Sequence, residues 1–130
     1  RASLELRNIP NMYIVGYKQA KELRQVIAQA RLVIMPSQWY ENYPMSILEA
    51  KVMGKVVIAS DIGGIAEMLP HEMLVRHDDV RAFVQTIKTW YSKDDKELIV
   101  IGKTLQKEVQ KVNSMDQYAK NIQKLYERIA

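Results

Sequence analysis

Cysteine is absent from this 130-residue sequence, and phenylalanine occurs only once. Without cysteine the chain forms neither a disulfide framework nor a thiolate metal site, which is consistent with a reducing compartment. No apolar run approaches the roughly 20 residues that span a bilayer, so these residues do not read as a membrane-spanning segment. Glycine and proline number only 5 and 4, which excludes collagen-like and low-complexity chains.

What remains is the composition of an ordinary globular domain. Hydrophobic residues make up 48% and charged residues 26% of the sequence, as expected for one domain of about 100–150 residues. Lysine and arginine exceed aspartate and glutamate by 19 to 15, a net charge of +4. This basic excess is mild and spread along the chain, so it does not identify a partner. We predict that residues 1–130 form a single domain.

Short apolar runs alternate with segments of helical period, a pattern typical of a parallel sheet flanked by helices. The candidate strands are Met12–Gly16, Leu32–Met35, Val56–Ala59 and Met73–Val75. The candidate helices between them are Leu23–Ala30, Pro44–Met53 and a short helix between the Gly63-Gly64 turn and Pro70. The second and third strands contain no polar residue, which predicts burial on both faces. Gly54 is placed to end the second helix.

From Asp78 onward the sequence carries three successive apolar stripes of helical period. Ser114 followed three residues later by Gln117 predicts the start of the last helix through a capping box. We therefore predict an α/β fold, with a Rossmann-like parallel sheet flanked by helices over about residues 11–77 and a helical tail over 78–130.

The segment 36–50 lies where a buried strand passes into a helix, the usual place for a ligand in an open α/β sheet. A helix N-terminus presents unpaired N–H groups and a partial positive charge, which favour a phosphate group. Pro44 fits the first helical position, which directs the N–H groups of Met45 and Ser46 outward. Glu49 then lies roughly 7–8 Å further along the helix axis, at a distance that suits hydroxyl groups beyond a bound phosphate.

Glu41 and Glu49 are separated by seven residues within P-S-Q-W-Y-E-N-Y-P-M-S-I-L-E-A. With this motif the sequence resembles the donor-binding half of glycosyltransferase family 4, the retaining nucleotide-sugar enzymes of the GT-B fold. The preceding A-R-L-V-I-M-P-S and the following M-G-K-V-V-I-A-S-D-I-G-G-I-A-E are also similar to the family. The resemblance is densest from about Asn11 to Val75. It implies transfer of a hexosyl group from a nucleoside diphosphate sugar to a glycan or lipid-linked acceptor, as in polysaccharide biosynthesis.

The resemblance also implies roles for individual residues. Glu41 would face the reacting anomeric carbon and is the catalytic candidate. Glu49 would accept charge-assisted hydrogen bonds from the ribose hydroxyls. The implied donor-binding residues are Ser37, Asn42, Tyr43, Pro44, Met45, Ser46 and Glu49, with Gln38 as a second-rank candidate. Gly63 and Gly64 are candidates for a loop near the donor, and a simple turn explains them equally well.

Two features of the family are missing from the sequence. Residues 1–10 resemble neither the first strands of the donor domain nor their Arg/Lys pair on the diphosphate, and the N-terminal acceptor-binding domain has no counterpart. The resemblance therefore implies a partial GT-B C-terminal domain that lacks its first strands and is catalytically inactive alone. Because an unpaired sheet edge templates association, we expect strand exchange between copies, as a homo-oligomer, or a chain taken from a larger ordered molecule.

No metal or other cofactor is expected, because His71 and His77 are isolated and no acidic or histidine cluster has metal-ligand spacing. Lysines recurring at every fourth residue of the last two helices predict a solvated face, and no aromatic platform accompanies them to suggest nucleic-acid binding. The expected location is cytoplasmic. Peripheral contact of this basic surface with the inner face of a membrane, near a lipid-linked acceptor, is an alternative.

Two other functions remain open at this stage. A nucleotide-sugar epimerase of the same architecture also binds its donor at a helix N-terminus, and free monosaccharide as the only product with any acceptor would favour it. The second is a non-catalytic nucleotide-sugar-binding or assembly module. Unchanged donor affinity after Glu49→Ala would favour a scaffold of that kind.

Overall fold

The computed structural model describes residues 9–112 and 114–129. Its helices and strands in chain order are α1 (Ala20–Gln29), β1 (Val33–Met35), α2 (Met45–Val52), β2 (Val57–Asp61), β3 (Leu74–Arg76), α3 (Val80–Tyr91), α4 (Asp95–Val112) and α5 (Met115–Ile129). Two 3-10 helices, Gly63–Glu67 and His71–Met73, connect β2 to β3. The predicted α/β architecture with a helical C-terminal part is confirmed.

The three strands form one parallel sheet in the order β1-β2-β3. Val33 pairs with Val57 on one side of β2, and Ala59 pairs with Leu74 on the other. Val57, Ile58 and Ala59 of the central strand are fully buried, as their uninterrupted apolar character predicts, and the polar Ser60 that follows them is buried as well. Since all strands run the same way, their carboxyl ends meet at one edge of the sheet, and the candidate site begins there.

Two predictions for the N-terminal half are wrong. β1 is not buried on both faces, since the side chain of Ile34 is 37% exposed. Residues 12–16 form no strand, and Tyr13 among them is 85% exposed. Both errors have the same cause: a strand needs a hydrogen-bonded neighbour, and within the described residues β1 pairs only with β2.

The C-terminal end of α2 is built by a Schellman motif, which confirms the helix end predicted at Gly54. The Lys55 amide donates to the Ala50 carbonyl at 2.9 Å and the Gly54 amide to the Lys51 carbonyl at 2.9 Å. Gly54 adopts a positive φ of 67°, which a glycine reaches without steric cost. This turn brings Gly54 against α4, where Gly102 approaches it backbone to backbone.

The helical tail follows the predicted apolar stripes, but its last helix is not packed into the core. The Ser114 hydroxyl accepts from the Gln117 amide at 3.1 Å and so caps α5 as predicted. No residue of α5 is buried, and its apolar side chains include Met115 at 79% and Leu125 at 54% exposure. None of the described helices combines the length and apolar character needed to cross a bilayer.

Arg31, just before β1, joins the end of α3 to the start of α4. Its guanidinium donates to the Tyr91 carbonyl at 3.1 Å, to the Lys93 carbonyl at 2.6 Å and to the Asp95 carboxylate. Its charged head also lies 5.1 Å from the centroid of the Tyr91 ring. The planar fork of an arginine satisfies several acceptors at once, which a single ammonium does not.

We expect Arg31→Ala to lower the free energy of unfolding by about 2 kcal/mol, because charged hydrogen bonds contribute about 1.5–3 kcal/mol each but a partly exposed pair contributes less. Arg31→Lys is expected to recover less than half of the loss. Urea denaturation measures both, with Arg81→Ala on the exposed face of α3 as the control. A loss below about 0.5 kcal/mol for Arg31→Ala, the usual range of surface substitutions, would contradict this account of the α3–α4 junction.

Candidate functional site

The candidate site is the loop between β1 and the N-terminus of α2. Its aromatic residues do not line the core, since Trp39 and Tyr40 are each 81% exposed and Tyr43 is 48% exposed. Such exposure at the carboxyl end of a parallel strand leaves the loop open to a ligand. Gln38 links the loop to the segment after β3, because its side-chain amide donates to the His77 carbonyl at 2.8 Å.

The helix starts one residue later than predicted. Met45 is the first helical residue, and Pro44 is the N-cap rather than the first position. The Pro44 carbonyl accepts from the Ile47 amide at 3.2 Å, and the residue itself is buried. Proline is tolerated there, because the N–H of an N-cap residue has no backbone acceptor within the helix.

The shift leaves the predicted anion-binding amides in place. The amides of Met45 and Ser46 are the first two of α2, and no acceptor for them is found within residues 9–112 and 114–129. Both residues are exposed. The Ser46 hydroxyl is directed back to the sheet, where it contacts the Met35 sulfur at 3.1 Å. The amides rather than this hydroxyl are therefore the groups available to an anion at the helix N-terminus.

Glu49 is exposed on α2, one turn beyond the free amides. It lines a cavity of about 320 Å³ between α1 and α2, together with Leu23, Arg24, Ile27 and Met45 among others. The walls of this cavity are mainly apolar, and Glu49 and Arg24 supply its charged groups. A carboxylate that is accessible and faces an open cavity is able to accept hydrogen bonds from hydroxyl groups of a ligand.

Glu41 is half-buried in the loop that precedes α2. It is not among the residues that line the cavity beside Glu49. Its backbone carbonyl accepts a hydrogen bond from the Gly64 amide at 2.7 Å. The structure therefore brings Glu41 together with Gly63 and Gly64, and it brings Glu49 together with Met45.

Three other candidate residues also lie between β1 and α2. Asn42 is exposed and Ser37 is half-buried at the strand end. Tyr43 lines a second cavity, of about 350 Å³, whose other walls include Lys51 and Glu67. Tyr43 and Glu49 therefore line two different cavities.

Lys51 is a feature that the sequence analysis missed. It is 7% exposed, and its ammonium donates to the Met68 carbonyl at 2.5 Å and lies 3.6 Å from the Glu108 carboxylate. The spacing of four from the buried Ile47 places it on the inward face of α2, and that spacing was the available signal. Lys51 joins the site helix to α4 and to the segment after β2.

Outside this site, an exposed ion pair shifts the pKa of a carboxyl group. At the end of β3, hydrogen bonding from the exposed Arg76 guanidinium holds the pKa of the Asp78 carboxyl below its usual range. Within the part of the chain that the structure describes, no three histidine or acidic side chains are grouped to hold a metal ion.

Residues 1–93 match the family model described as glycosyl transferases group 1. The chain belongs to this family. The matched residues include both candidate glutamates, the loop between them and the Gly63-Gly64 turn.

The chain is similar to a curated protein and to a solved structure, and it covers only part of each. It is 31% identical over 68 residues to the N,N'-diacetylbacillosaminyl-diphospho-undecaprenol alpha-1,3-N-acetylgalactosaminyltransferase of Campylobacter jejuni, and this covers 52% of the chain and 17% of the relative. The structure of sucrose-phosphate synthase from Thermosynechococcus elongatus matches with a TM-score of 0.81 at 24% identity, over 98% of this chain and 32% of that one. The second likeness confirms a GT-B type fold. The chain spans about a sixth of the curated relative and a third of the solved structure.

Proposed function

We propose that this glycosyltransferase chain binds the nucleoside diphosphate sugar for transfer of a hexosyl group, with retention, to a glycan or lipid-linked acceptor. The observation that carries the proposal is the pair of free amides of Met45 and Ser46, with the exposed carboxylate of Glu49 on the same helix. The amides and the helix dipole favour a diphosphate. The carboxylate is suited to two adjacent ribose hydroxyls, since it has two acceptor oxygens.

In this proposal Glu41 acts at the sugar. It lies in the loop that precedes the helix N-terminus, so a donor whose diphosphate rests on the amides extends its sugar toward this loop. The transition state of sugar transfer carries growing negative charge on the departing diphosphate, and preorganised N–H donors stabilise such charge without reorganisation. Positioning of donor and acceptor supplies the other part of the rate acceleration. The acceptor and a divalent metal are not assigned to any described residue.

The proposal is tested by titrating the 130-residue chain with uridine, guanosine and adenosine diphosphates and with their sugar derivatives. We expect one nucleoside diphosphate to bind with a dissociation constant of about 0.1–1 mM, which corresponds to about 4–5.5 kcal/mol. In an NMR titration the Met45 and Ser46 amides should shift most, and EDTA should leave the affinity unchanged. Binding no tighter than that of inorganic phosphate, for every nucleotide in the panel, would refute the proposal.

A further inference from the structure

The Gly63-Gly64 turn packs directly on the backbone of the site loop. The Gly64 amide donates to the Glu41 carbonyl at 2.7 Å. A Cβ atom on Gly64 would lie 1.7 Å from the Asn42 carbonyl oxygen, and one on Gly63 would lie 2.3 Å from the Glu41 carbonyl oxygen. No real Cβ atom approaches an oxygen so closely, so any side chain at either position displaces the loop.

The two glycines are needed for different reasons. Gly63 has a φ of 59°, which favours glycine whatever its surroundings. Gly64 has no such conformation, and the three atoms nearest to a Cβ there all belong to the Asn42 backbone. Because that obstacle is main chain, it is not relieved by rotating a flexible side chain. A substitution at Gly64 therefore tests the close approach to the loop without the strain of a positive φ.

The hydrogen bond also determines where the next amide points. In a planar trans peptide the C=O and N–H groups are directed to opposite sides. With the Glu41 carbonyl directed at Gly64, the N–H of the exposed Asn42 is directed away from the turn. Within the described residues this amide has no acceptor, as is also true of Met45 and Ser46 at the start of α2.

We propose that Gly64 is a positioning residue that clamps the Glu41–Asn42 peptide and so places Glu41 and the Asn42 amide for the sugar half of the donor. The inference rests on the proposed function. It distinguishes two parts of the site. The clamp acts on the loop that carries Glu41, whereas Glu49 and the free amides belong to α2. A lost clamp therefore alters recognition of the sugar more than recognition of the nucleoside diphosphate.

The decisive variant is Gly64→Ala, compared with Ala66→Gly, which loosens the same 3-10 helix at an exposed position without touching the loop. We expect Gly64→Ala to change the dissociation constant of the nucleoside diphosphate by less than threefold. The ratio between the dissociation constants of the nucleoside diphosphate sugar and the nucleoside diphosphate should rise at least fivefold. Ala66→Gly should leave this ratio within twofold of the wild type, which separates the clamp from general loosening.

A second variant covers the case in which Gly64→Ala does not fold. Glycolic acid at position 64 converts the amide to an ester, which deletes the donor without adding a side chain, and the ratio should again rise. Hydrogen exchange of the Gly64 amide should be at least tenfold slower than that of Gly16, whose surroundings are open. An unchanged ratio in a folded variant, or unprotected exchange at Gly64, overturns the clamp while the proposed function stands. Absence of any nucleotide binding refutes the proposed function and the assigned role together.

Discussion

Gly102→Ala is expected to destabilise this chain by about 3 kcal/mol, the upper part of the range for overpacking, although alanine is the better helix former. A Cβ atom on Gly102 would lie 1.9 Å from the Gly54 carbonyl oxygen and 2.7 Å from its carbon. Helix propensity favours alanine by only about 0.5–1 kcal/mol. The steric cost wins because the obstacle is the main chain of the turn that ends α2.

Denaturation in urea measures this change, and Lys103→Ala at the next, exposed position of α4 is the control. The control should stay within about 0.5 kcal/mol of the wild type. If Gly102→Ala instead stabilises the chain, α4 does not pack on Gly54 and the end of α2 is held in some other way. The result bears on the site, since α4 supports the helix that carries Glu49 from the side of Lys51.

The sequence predicted those elements whose cause is local. Residues 57–59 are apolar without interruption and form the buried central strand. Gly54 follows an apolar helix and ends it with a positive φ. Ser114 caps the last helix through the expected hydrogen bond. In each case a few neighbouring residues contain the whole physical reason for the structure.

The errors share a dependence on distant parts of the chain. Residues 12–16 have the composition of a strand, but a strand requires a partner and none of the described residues pairs with them. The burial of Lys51 depends on Met68 and Glu108, which are far from it in sequence. The close contact of Gly64 with Asn42 is equally non-local. Helical spacing places Lys51 on the inward face of α2, but neither periodicity nor propensity identifies the distant residues that these segments contact.

The sequence predicted the local geometry at the start of α2, whereas the binding roles of the site residues stay predictions. The free amides at the start of α2 and the exposure of Glu49 follow from one strand-to-helix junction, which the motif contains in full. The error at Pro44 is a displacement of one residue and leaves the direction of the amides unchanged. The contact between the Glu41 backbone and the Gly63-Gly64 turn required the structure, because it joins the site loop to the segment after β2.

Glu49→Ala is expected to weaken binding of the nucleoside diphosphate by about 2 kcal/mol, which is about thirtyfold in the dissociation constant. The loss arises because two ribose hydroxyls are left without an acceptor in a cavity whose walls are mainly apolar. Coulomb's law alone predicts tighter binding of the nucleoside diphosphate by this variant, because removing a carboxylate removes a repulsion from an anionic ligand. Weaker binding is therefore specific evidence for a direct contact.

Glu67→Ala is the matched control, because Glu67 is also exposed, carries the same charge and lines the separate cavity beside Tyr43. It should bind the nucleotide as the wild type does or slightly more tightly, and Glu49→Gln should recover part of the lost affinity through its remaining acceptor oxygen. Calorimetric titration of the four proteins with the same nucleotide gives the comparison. Equal affinities for Glu49→Ala and Glu67→Ala would place the ribose elsewhere and favour a scaffold role for α2. A thirtyfold difference between two exposed carboxylates of equal charge would assign the contact to the cavity between α1 and α2.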